Sequence, residues 1–150
     1  MSLTNQIQAD YQAALKKGES LVVSTLRLLL AAIHDQEIAK RAKGEELTEG
    51  EVQGAVQKEV KRRKESIAAF EKGDRSDLVE KEKQELAILE KYLPEQMSEE
   101  ELKKIIAEVV EEVNPQGMKD LGQVMKLVMP RVKGKADGSQ VSQLVKEALG

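Results

Sequence analysis

The sequence predicts an all-α fold, with a bundle of long helices over residues 1–94 followed by a small three-helix domain over 95–150. Three observations carry that prediction. Apolar residues recur at helical spacing along nearly the whole chain, with no alternating pattern that would compete as strand. Thr48 with Glu51, and Ser98 with Glu101, form the Ser/Thr-x-x-Glu box that satisfies the unpaired N–H groups at a helix start. Leu93-Pro94 then ends a helix, because the proline ring disfavours helical geometry at the residue before it.

In chain order, Leu3, Ile7, Tyr11 and Leu15 stand four apart and predict an amphipathic helix over Leu3–Lys17, stopped by Gly18. Leu21–Ile33 is the most apolar run. Interrupted by Arg27, it is too short to cross a bilayer, so it predicts the central buried helix, running to Lys43 and stopped by Gly44. The Thr48 box starts a helix to Lys72 with Val52, Val56, Val60, Ile67 and Phe70 as core contacts. After the Gly73-Asp74 turn, Ser76–Tyr92 forms the next, anchored by Leu78, Val79, Leu86, Leu89 and Tyr92.

Beyond Pro94, Leu102, Ile105, Ile106, Val109, Val110 and Val113 line one face of a helix that Asn114-Pro115-Gln116-Gly117 closes. Val124, Leu127 and Val128 predict another, broken at Pro130 and Gly134. Asp137 with Gln140 reads as the capping box of a last helix carrying Val141, Leu144, Val145 and Leu149.

Composition limits the chemistry. The 150 residues include no cysteine, which excludes disulfides, thiolate metal sites and a cysteine nucleophile. With 34% charged and 2% aromatic residues, and neither a basic start nor a long apolar core at the N-terminus, the expectation is a cytoplasmic protein without a signal peptide or membrane span. His34 is the single histidine, two turns from Arg27 on nearly the same face. Alone it cannot build a usual transition-metal site, and no nucleophile pairs with it, so a structural role is preferred and no metal or cofactor is expected. A buried Arg27 would need a carboxylate partner.

The net charge of −3 conceals an asymmetry. Glu95–Val113 carries seven glutamates against two lysines, whereas Met118–Gly150 carries six Lys or Arg against three Asp or Glu. A local basic face attracts polyanions even on an acidic molecule. Two stretches qualify. Around Pro130 and Gly134, Lys126, Arg131, Lys133 and Lys135 flank the N-terminus of the last helix, where the backbone N–H groups of Gly138 and Ser139 would receive a phosphate. In the third helix, Lys61, Arg62 and Arg63 belong to a run that reads either as a cationic stripe or as a solvated face with pairs such as Lys61 to Glu65.

The words GQVMK (Gly122–Lys126) and KGKAD (Lys133–Asp137), followed by the apolar pattern to Leu149, resemble the signature of the YqeY family, and that likeness covers nearly the whole chain. The last third is also similar to the tail of GatB, the tRNA-handling subunit of a glutamine-dependent tRNA amidotransferase. In that tail GQVMK runs almost directly into the KGKA turn, whereas here Leu127–Val132 intervene. The resemblance implies tRNA as partner, with an aminoacyl-tRNA synthetase or amidotransferase component as a further one. It implies no catalytic residue in this chain, which has no P-loop glycine pattern and nothing like the GatB catalytic domain. The readings from other classes are a protein-interaction adaptor for a translation component and a carbon-nitrogen ligase with glutamine as amido donor.

Overall fold

The computed structural model describes residues 2–150. Among them all regular structure is helical: α1 (Leu3–Lys17), α2 (Ser20–Ala42), α3 (Glu49–Lys72), α4 (Ser76–Glu90), α5 (Glu99–Val113), α6 (Leu121–Val132) and α7 (Gly138–Leu149), with a 3-10 turn at Met118–Asp120 ahead of α6. The all-α class read from the sequence is the class observed. The chain divides into two compact units, Met1–Leu93 and Pro94–Gly150, each with its own apolar core.

In the first unit Ser2 caps α1 by accepting from the Asn5 N–H, and Gly18 ends it in the left-handed region at φ 71°. Ile7, Leu26, Leu29, Ile33, Val52, Val56 and Leu89 form the core where α1–α4 meet. The expectation that α2 is the central buried helix holds for one face only: Leu28 is 57% exposed and Ile38 52%. Its neighbours α1, α3 and α4 cover one face, so hydrophobicity along the helix exceeds the area available to hide it. Leu15, read as part of the buried row of α1, is likewise exposed, and Ala14 takes the inward position.

Both boxes predicted at Thr48/Glu51 and Ser98/Glu101 are formed, each with the reciprocal pair of hydrogen bonds. The apolar core of the first unit reaches Val60 on α3 and stops, and Ile67 and Phe70 are only half-buried. α4 ends at Glu90, so Tyr92 lies just past it. There Tyr92, 5% exposed, donates its hydroxyl to Asp10 Oδ2 at 2.6 Å and ties the end of α4 to α1.

Burial and the adjacent Asp10 carboxylate push the Tyr92 phenol well above its usual pKa. A raised folded-state pKa means the contribution is complete below the unfolded value of about 10 and is lost as pH rises beyond it. Tyr92→Phe is expected to cost about 1 kcal/mol at pH 7, the net value of one hydrogen bond. It should also flatten the alkaline limb of stability between pH 9 and 11, read by urea unfolding. An unchanged alkaline limb would place that sensitivity elsewhere.

In the second unit Leu102, Ile106 and Val109 of α5 meet Val124, Val128 and Val132 of α6 and Val141 and Val145 of α7. The expected break at Pro130 does not occur, since Pro130 lies inside α6. A proline there removes one hydrogen bond to the carbonyl four residues back. Lys126 and Pro130 both lie on the exposed side of α6, and the buried neighbours Val128 and Val132 hold the last turn in place. Leu127, read as an anchor, is 41% exposed because the four-apart row of valines sets the buried face. The cap of α7 also differs from its prediction: Asp137 accepts from the Ser139 N–H at 3.3 Å in place of a reciprocal box with Gln140.

Candidate polyanion-binding turn

The turn between α6 and α7 is fastened from outside. Lys133 leaves helical geometry, and Gly134 takes φ 79°, a left-handed value that glycine adopts without steric cost. The Gly134 carbonyl accepts from Gln96 Nε2 at 3.0 Å, and the Lys135 carbonyl accepts from the Met97 N–H at 2.8 Å. Gly134 is buried by this docking, and the side chains of Lys133 and Lys135 on either side of it are exposed. Gln96 was missed by the sequence reading, and no local pattern points to it, because it lies 38 residues from its partner.

The cations assigned to this site have different fates. Lys126 is exposed on α6, and Lys133, seven residues on, is the exposed residue that follows the end of that helix. Neither they nor Lys135 make an ion pair. Arg131 turns to α5, with Nη2 3.2 Å from Glu112 and Nη1 4.0 Å from Glu108. At the start of α7, Asp137 binds the Ser139 N–H, so a carboxylate occupies the place that the sequence reading gave to a phosphate on Gly138 and Ser139. Lys126 on α6 and the two lysines of the braced turn, Lys133 and Lys135, remain to meet an anion.

On α3 the basic run is divided by the helix itself. Lys61, Arg62 and Lys64 are exposed, with Arg62 3.2 Å from Glu59 and Lys61 also engaged. Arg63 points inward, its side chain 18% exposed, against three carboxylates: Glu82 at 3.2 Å, Glu85 at 3.4 Å and Glu59 at 3.7 Å. The Arg63 Nε faces Glu85 without an aligned hydrogen bond. Burial, then the negative charge of Glu82, raise the Glu85 carboxyl above the ordinary range, and Arg63 opposes them. This cluster joins α3 to α4, and Arg63 is withdrawn from the surface stripe assigned to it.

The residues flagged on α2 do not converge. His34 is 68% exposed and 3.7 Å from Glu37. Arg27 is exposed, with its Nε 3.4 Å from the Tyr11 hydroxyl, and so has no buried charge to neutralise.

Comparison with known proteins places this geometry in context. Residues 4–149 match the model of a family described as Yqey-like protein. A protein named altered inheritance of mitochondria protein 41, mitochondrial, from Pyrenophora tritici-repentis is 30% identical over 148 residues, covering 97% of this chain and 80% of that one. Proteins of the same name from Lachancea thermotolerans and Saccharomyces cerevisiae are 37% identical over 87 residues and 28% over 144. The matches span 58% and 96% of this chain, and 46% and 66% of the relatives. The expectation of a cytoplasmic protein is corrected here, because these relatives are named as mitochondrial. Composition reports how much charge a surface carries and is silent on compartment.

Proposed function

The chain belongs to the YqeY-like protein family, and from that premise we propose that it is a non-catalytic accessory protein that associates with tRNA through Lys126, Lys133 and Lys135. The observation that carries this reading is the braced turn, whose two lysines extend from a loop fixed by Gln96 and Met97. A loop already held in place loses little conformational freedom on binding. The resemblance of this segment to the GatB tail supplies the polyanion.

The contacts are to phosphates. The only phenylalanine and both tyrosines lie before residue 94, so the unit that carries the turn has no ring on which a base could stack. Recognition then rests on the shape and backbone of a folded RNA.

The test is equilibrium binding to a tRNA pool and to an unstructured RNA of equal length across a salt series. Lys126→Ala/Lys133→Ala/Lys135→Ala is expected to reduce the slope of log affinity against log salt by about 2, and Arg131→Ala by much less, since its guanidinium is already paired. Preference for tRNA near physiological salt, lost in the triple variant, supports the reading. Unchanged affinity and slope in that variant would overturn the site, and equal, steeply salt-sensitive binding of both RNAs would leave only general polyanion attraction.

A further inference from the structure

The outward face of α2 has a pattern that the other helices of the first unit lack. Leu21, Ser24, Leu28, Ala31, Asp35, Ile38 and Ala42 follow one another in alternating steps of three and four, the spacing of a coiled-coil seam. The seam is about 30 Å long. Leu28 and Ile38 are more than half exposed, Leu21 is partly covered, and Ser24, Ala31, Asp35 and Ala42 are exposed. Asp35 alone is charged among the seven, whereas the outward face of α3 carries Lys58, Lys61, Glu65 and Lys72.

One border of the seam is basic and the other is small. Arg27, His34 and Arg41 recur seven apart along one side, while Ala32 and Ala39 form the other and let a second backbone approach. Arg41 makes no ion pair, although Glu37, Glu45 and Glu46 border the same shallow cleft. Two copies packed antiparallel on this seam would bring Arg27 of each against Arg41 of the other, and His34 against His34. Like charges at flanking positions disfavour that pairing.

We propose that this face docks an amphipathic helix of a partner protein whose flanking positions are acidic. Leu28 and Ile38 seat its apolar residues, and Arg27 and Arg41 select its charge. Asp35 is an unpaired carboxylate within the seam, so a single basic residue opposite it sets the register.

The experiment uses the full chain and two synthetic helical peptides of three heptads, with leucine in the seam and one lysine placed to meet Asp35. One peptide carries glutamate and the other lysine at the flanks. Fluorescence anisotropy is expected to show at least tenfold tighter binding of the glutamate peptide. Leu28→Glu/Ile38→Glu should abolish it, and Arg27→Glu/Arg41→Glu should reverse the preference. These side chains are exposed, and an unchanged circular dichroism melt verifies the fold of each variant. Equal binding of the two peptides, or a preference that Arg27→Glu/Arg41→Glu leaves intact, would overturn the proposal. Self-association in sedimentation that Leu28→Glu/Ile38→Glu removes would also overturn it, in favour of a second copy.

Discussion

Replacing Arg63 with methionine is expected to cost about 3 kcal/mol at pH 7, because one guanidinium is all that separates three carboxylates with side-chain exposures of 8–14%. Methionine keeps most of the apolar stem, so the loss reports charge more than volume. Arg62 stands at the edge, 60% exposed, and water screens its pull on Glu59. The loss should be distinctly smaller at pH 5. Glu85 already titrates above the ordinary value, so its contribution to stability is complete only below the unfolded value of about 4.3 and is lost as pH rises through the folded one. Without Arg63, which opposes that rise, the Glu85 carboxyl takes up its proton at still higher pH, and acid relieves the repulsion. Glu85→Gln, which leaves Arg63 with Glu59 and Glu82, is expected to change stability by less than about 1 kcal/mol. Urea midpoints at the two pH values decide the matter. Equal losses at pH 7 and pH 5 would assign the effect to packing of the stem.

The inward turn of Arg63 was written in the sequence only in part. Val52, Val56 and Val60 set the buried face of α3, and Arg63 stands seven residues after Val56, so the helix must carry it to the same side. What local pattern does not give is the compensation. Glu82 and Glu85 come from α4, and their arrival depends on the register of the α3–α4 hairpin. The capping boxes at Thr48 and Ser98 were legible because their partners lie three residues away. The brace from Gln96 to Gly134 was illegible for the opposite reason.

Hydrophobicity misled where the number of neighbours mattered. The run from Leu21 to Ile33 reads as the central buried helix, yet α2, which does meet α1, α3 and α4, keeps Leu28 in water. A single sequence cannot say how many helices surround a given one. At the C-terminal turn the misreading concerned charge. Asp137 was identified as the cap of α7, and the same carboxylate that caps the helix repels the phosphate expected beside it. The lysines, which extend into solvent, are the part of the candidate site that the sequence located.

Val128→Asp is expected to unfold the second unit and leave the first intact. Val128 is fully buried between Val124 and Val132, in a core completed by α5 and α7. A carboxylate there has no partner, and burying it costs more than about 4 kcal/mol. A unit the size of Pro94–Gly150 buries only about 60% of its chain surface and has few kcal/mol to lose. The core of α1–α4 contains no residue beyond Leu93, so its stability should not depend on Val128. Amide hydrogen exchange should therefore lose protection across α5–α7 and retain it across α1–α4. Loss of protection in both units would mean that they fold as one cooperative body, and retained protection in α5–α7 would remove Val128 from the core. The same variant separates charge from scaffold at the candidate site. It keeps Lys126, Lys133 and Lys135 but releases the turn from Gln96 and Met97, so preference for tRNA over unstructured RNA should disappear while weak, salt-sensitive attraction to both persists.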